Sequence, residues 1–162
     1  MEKIRHTLEP IFDENSRVLV LGTMPSPVSR KVGMYYGSKG NRFWRAISAA
    51  FGEPFPQTDE EKRAFLLKNR VALWDVLESC DIEGASDASI KNARPNDFSR
   101  IFSRANIAAV FTTGKTAAKF YKKFTGKDSV CLPSPSGANC AVGLSALVES
   151  YRRVADAAGE RG

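Results

Sequence analysis

The chain has 162 residues, 43% hydrophobic and 26% charged, with 24 Lys and Arg against 18 Asp and Glu for a net charge of +6. That composition fits one globular domain, able to bury roughly 70% of the surface its unfolded form exposes. No apolar run approaches the ~20 residues of a membrane span. The charged opening MEKIRHTLEPIF, broken by Pro10, leads to the expectation of no export signal and of a soluble cytoplasmic protein.

The basic excess points to a polyanionic partner. Cys80, Cys131 and Cys140 form no CxxC pair and are expected to be free and mostly buried. Three cysteines cannot complete a Cys₄ zinc or iron–sulfur site. The lone His6 falls in an expected N-terminal helix, so metal chemistry and a His-based triad are both disfavoured.

In chain order, SRVLVLGTMPS (16–26) reads as a strand: Val18 to Leu21 run without alternation, as strands covered on both faces do, and end in Gly22 and Pro25. From Asn41 to Phe51 the apolar residues recur at helical spacing. A second helix starts at Thr58 with Glu61 three residues on, a capping box. VALWDVLES is a short strand or extended segment, and the polar DIEGASDASIKNARPND reads as a long surface loop. A short helix is expected over 98–104, a second apolar strand over 107–114 and a helix in KTAAKFYKKF. SVCLPSPSGAN is a third strand entering a Pro/Ser/Gly loop, LSALVESYRRVADAA an amphipathic helix, and GERG a frayed end.

This alternation predicts one α/β domain over 1–162, a parallel sheet with helices on both faces. Sites in such folds collect at the carboxyl ends of the strands. Here those ends carry GTMPS, TTGKT and PSPSGAN, which should share one rim. TTGKT is not a phosphate loop: the motif needs a Gly five residues before Gly114, where Ala109 stands.

LGTMPS, YYGSKGNRFW (35–44), ALWDV (72–76), IKN…PNDF (90–98) and LPSPSGAN resemble, in that order, motifs of the uracil-DNA glycosylase superfamily. The resemblance covers residues 17 to about 151 and is strongest to its hypoxanthine-DNA glycosylase branch. It implies a three-layer α/β/α sandwich around a mainly parallel four-stranded sheet of order 2-1-3-4. It also implies a monomeric, monofunctional enzyme acting on damaged DNA, double- or single-stranded, nucleoid-associated in a prokaryote. No cofactor is implied, because water is the nucleophile.

Such an enzyme swings a nucleotide out of the stack into a tight pocket. The resemblance puts Tyr36 at the position of the aromatic on which the base stacks, with Tyr35 packing or supporting it. Gly22, Thr23, Met24 and Pro25 would frame the base. Met24 stands where many members hold water with Asn or Asp, and a thioether accepts too weakly for that task. Asn41 is the candidate for placing the water, with a helix cap as its alternative role. Asp75 is a second candidate, with burial or a cap as alternative. Lys39, Arg42, Lys115, Ser134, Ser136, Gly137, Ala138 and Asn139 are the expected DNA contacts. Two departures stand out: Ser26 replaces a usual Gly, and Ser38-Lys39 replace a usual His-Pro. Uracil or a G/U or G/T mismatch as the target, or a DNA-binding module without catalysis, remain the alternatives.

Overall fold

The computed structural model describes residues 1–159; Gly159 closes a helix, and the rest of the GERG end lies outside the described residues. In chain order come β1 (Glu2–Arg5), β2 (Val18–Gly22), α1 (Pro27–Val32), α2 (Phe43–Ala50), α3 (Asp59–Lys68), β3 (Val71–Asp75) and β4 (Leu77–Glu83). These are followed by β5 (Ser86–Pro95), α4 (Ser99–Phe102), β6 (Ala109–Thr113), α5 (Lys115–Thr125), β7 (Val130–Leu132) and α6 (Leu144–Gly159).

Four strands form a parallel sheet in the order β3-β2-β6-β7. Counted alone, they run 2-1-3-4, as expected. Every residue of β2 and β3 is buried, which accounts for their unbroken apolar sequence. Aromatic clusters mark the two covered faces. On one, Phe43 of α2 meets Tyr151 of α6 with ring centroids 6.0 Å apart. On the other, Phe98 lies between Trp74 of β3, at 6.2 Å, and Tyr121 of α5, at 5.6 Å. Three layers result. In α3 the start is as predicted: the Thr58 hydroxyl accepts from the Glu61 N–H at 3.0 Å, although the Glu61 carboxylate reaches Gln57 N, not Thr58.

Two expectations fail at the opposite edge. The N-terminal segment is no helix, and the polar stretch 81–97 is no loop. Instead β1, β4 and β5 form an antiparallel sheet in the order β1-β4-β5, with Ile4 opposite Cys80 and Glu83 opposite Ser86. His6 follows β1 and is buried, its ring on the Leu77 carbonyl at 2.7 Å. The cysteines are free, but only Cys80 is buried; Cys131 and Cys140 are exposed, because β7 is an edge strand and Cys140 lies beyond it in a loop.

A single residue, Val76, separates β3 from β4. Its N–H donates to Gly22 O and the Leu77 N–H to Thr23 O. The Asn96 amide donates to the carbonyls of Asp75, at 2.9 Å, and Leu77, at 3.2 Å. The end of β3 is thereby fixed against the loop that follows β2.

Candidate active site

The three strand-end loops do converge. Gly22, Thr23, Met24, Pro25, Tyr36, Asn41, Asp75, Lys115 and Ser134 through Asn139 all line one cavity of about 1050 Å³. Asn41, Gly22 and Ser134 therefore line the same cavity, although they come from three separate stretches of chain.

Tyr36 holds an unusual backbone conformation, with φ at 55°, a region that residues other than glycine rarely enter. Two contacts hold it there. Its ring stacks on Phe43 with centroids 4.0 Å apart and planes within 16°, and its hydroxyl hydrogen-bonds with Thr113 Oγ1 at 2.8 Å. Such a stack contributes about 0.5–1.5 kcal/mol beyond burial. Tyr35 is structural: its hydroxyl donates to Glu9 O at 2.7 Å, and its carbonyl accepts from the Trp44 indole at 2.9 Å.

Asn41 lies one residue before the N-cap of α2, which is Arg42, and its Oδ1 accepts from the Phe43 N–H at 2.9 Å. This hydrogen bond fixes the plane of the amide and leaves one Oδ1 lone pair and the NH₂ group for other partners.

Asp75 ends β3 and lines the cavity, 3% exposed, and its buried Oδ2 has no hydrogen-bond partner among the described residues. Burial, reinforced by the negative charge of Asp87, pushes its carboxyl up to about 8. Gly22 makes room for it: a Cβ there would sit 2.6 Å from Asp75 Oδ1 and 2.9 Å from the Tyr36 hydroxyl.

The PSPSGAN loop is braced from within. Ser134 Oγ accepts from Ser136 N, Ser136 Oγ from Ala138 N, and the Asn139 amide donates to Ser134 O. Arg42, expected on DNA, instead donates to the carbonyls of Ser136, Asn139 and Val142, and its own N–H reaches Pro135 O. It ties the loop to the start of α2. Gly137 abuts Gly40 so closely that a Cβ on it would lie 2.9 Å from Gly40 O. Lys115 is exposed at the cavity edge, at the start of α5; Lys39 is exposed beside the cavity, outside its lining.

The two departures from the family pattern meet in space. Ser26 Oγ and Ser38 Oγ are 3.0 Å apart, and Ser26 also caps α1 by accepting from Ser29 N. Ser29 Oγ in turn accepts from Gly37 N at 2.9 Å. A serine network thus joins the loop after β2 to the Tyr35–Asn41 segment.

Sequence reasoning missed one wall. Ile82, Ala85, Ser86 and Asp87, at the tip of the β4–β5 hairpin, also line the cavity. Desolvation beside the cavity raises the Asp87 carboxyl, against the pull of the Thr23 hydroxyl, although the residue as a whole is exposed. The signal was slight: a Gly84 turn, with φ at 58°, between two polar runs. Among the described residues no group of three or more His, Cys, Asp or Glu is placed to hold a metal ion, and no helix is long and apolar enough to cross a membrane.

Residues 9–153 match the family model of the Uracil DNA glycosylase superfamily. The chain belongs to that superfamily. A protein of Methanosarcina acetivorans named Hypoxanthine DNA glycosylase is 35% identical over 140 residues, 84% of this chain and 89% of the relative. A Methanosarcina barkeri protein of the same name is 36% identical over 134 residues, 80% of this chain and 85% of its own. The solution NMR structure of a Methanosarcina acetivorans protein, described as a candidate uracil DNA glycosylase, superposes with a TM-score of 0.76 at 31% identity. That superposition covers 93% of this chain and 98% of the other. Superfamily membership and the cavity thus agree on DNA glycosylase chemistry.

Proposed function

We propose that the chain acts as a monomer to remove hypoxanthine from DNA by hydrolysis, leaving an abasic site. The observation that carries this reading is the one cavity that Tyr36, Asn41 and Asp75 all line. The names of the two Methanosarcina relatives supply the choice of base.

An extruded base would lie on the face of Tyr36 turned away from Phe43. Stacking on an aromatic is worth ~1–3 kcal/mol, enough to offset much of the unstacking. The Asn41 Oδ1 accepts a hydrogen bond from a water held beneath C1′. As the C1′–N bond lengthens, the sugar gains positive charge and the base negative charge. The water oxygen bonds to C1′, and its proton passes to solvent or to the departing base. Because the Phe43 N–H pre-sets the amide of Asn41, little reorganisation accompanies this step. Lys39, Lys115, Ser134, Ser136 and the Gly137-Ala138 tip bear on the phosphates and the groove, while Arg42 and Asn139 hold the loop in shape.

Duplexes and single strands carrying hypoxanthine, uracil, xanthine or a thymine mismatch, followed by alkali, test the reading. Hypoxanthine release is expected to be fastest. Uracil release without hypoxanthine release would replace the base assignment. DNA binding with no abasic product would replace the enzyme by a binding module. Borohydride trapping is expected to yield no covalent adduct, since no amine takes part.

A further inference from the structure

We propose that Thr113 is a positioning residue whose hydroxyl pins the far end of Tyr36 and so sets where the extruded base can stack. This rests on the glycosylase reading above and names a residue that acts on the base only through the tyrosine ring.

The ring needs a second anchor. Tyr36 keeps a φ of 55°, a conformation that persists only where its surroundings over-determine it. Its stack on Phe43, with centroids 4.0 Å apart and planes within 16°, fixes the height and tilt of the ring. Stacked rings are favourable over a range of offsets, so the stack leaves the ring free to slide in its own plane. A hydrogen bond is directional where a stack is not. The one between the Tyr36 hydroxyl and Thr113 Oγ1, 2.8 Å long, holds the ring along the direction that Phe43 leaves open.

Thr113 is built to hold still. It ends β6, is 7% exposed, and pairs in register with Leu132 of β7. Its branched Cβ restricts χ1, and its Oγ1 also lies 3.5 Å from the Leu21 carbonyl. Gly22 leaves the passage for the bond: a Cβ there would lie 2.9 Å from the Tyr36 hydroxyl and 3.6 Å from Thr113 Oγ1. Two strands of the parallel sheet thereby hold a ring that belongs to a loop.

Both residues line the cavity, so a shift at this bond displaces the ring within the site itself. Without the bond the ring slides on Phe43. The extruded nucleotide then stacks less well and is less often within reach of the water placed by Asn41.

Single-turnover excision of hypoxanthine from a duplex by Thr113→Val, Thr113→Ser and Tyr36→Phe tests the anchor. Thr113→Val keeps the shape and loses the hydroxyl, and should slow release by about 10-fold. Thr113→Ser should recover most of that loss. Tyr36→Phe keeps the ring and should lose as much as Thr113→Val. The two changes together should be no slower than either alone, since each removes the same bond.

Binding separates position from general damage. For a duplex carrying an uncleavable 2′-fluoroarabino hypoxanthine nucleotide, Thr113→Val should weaken affinity by about 5-fold or more. For an abasic duplex, which has no base to stack, affinity should stay unchanged. Losses that multiply in the double variant, or an equal loss of affinity for both duplexes, would overturn the proposal. So would full-rate release by Tyr36→Phe, an outcome that stands even if Thr113→Val does not fold. An active wild type with unaffected variants removes the anchor alone. A wild type that releases no base at all brings down the glycosylase reading, and this anchor with it.

Discussion

The parallel sheet and the antiparallel sheet meet at Val76 and treat their residues in opposite ways. Every side chain of β2 and β3 is buried, whereas most of β5 is exposed. The first sheet is specified by what it hides, the second by pairing between backbones. Yet both supply the cavity. The parallel strands contribute Gly22, Asp75 and Thr113 at their carboxyl ends, and the hairpin contributes Ala85, Ser86 and Asp87 as a side wall. The parallel sheet thus fixes where the chemistry stands, and the hairpin tunes the charge beside it.

That division of labour can be broken most directly at Asn41, on the parallel-sheet side. Asn41→Ala should lower excision by about 1000-fold, the loss expected when a positioned polar group is removed. Duplex affinity, followed by a gel-shift titration, should persist. A full-rate variant would shift the chemistry to another residue. Gly22→Ala comes next. Its methyl group would displace Asp75 Oδ1 and the Tyr36 hydroxyl, 2.6 and 2.9 Å away, and about a 100-fold loss of single-turnover rate follows from misplacement on that scale.

Asp75 sharpens the comparison through stability. Its carboxyl titrates at about 8 in the folded chain and near ~3.9 when unfolded. Between those values the fold must keep a proton that the unfolded chain releases, so stability falls as pH rises from about 4 to about 8 and levels off above. Asp75→Asn carries no such proton. Its melting temperature relative to the wild type should rise by roughly 10 °C or more between pH 4 and pH 8. A gap that stays constant would mean that Asp75 is ionised in the fold.

The smallest effect is expected from the hairpin. Asp87→Asn removes the negative charge that helps keep Asp75 protonated. The alkaline limb of excision should move to lower pH by about one unit or less, with the rate at pH 7 changed no more than about threefold. A large loss at Asp87 would promote the hairpin from a tuning wall to a centre of the chemistry.

Much of the fold was legible because burial writes itself into sequence. Val18 to Leu21 and Val71 to Trp74 are apolar without a break, and only a strand covered on both faces demands that. The helices from Phe43 and Leu144 carry their periodicity openly. The hairpin did not, because most of its side chains face solvent and leave the pattern of a polar loop. Of the cavity lining, the loops and Tyr36, Asn41 and Asp75 were expected from motif order. The tasks of Arg42 and Asn139 were not. A basic residue and an amide in such loops suit phosphate equally well, and only their distances to four backbone carbonyls assign them to bracing.

By itself, then, the sequence determined the layers, the strand order through its family pattern, and the rim on which the loops gather. These depend on periodicity and on residue types with few alternative uses. Tertiary structure alone decided the hairpin wall, the pairing of Ser26 with Ser38 and the upward shift of the Asp75 carboxyl. Each depends on groups distant in the chain: backbone pairing joins the strands, and the solvent excluded by several loops together sets the charge of a buried acid.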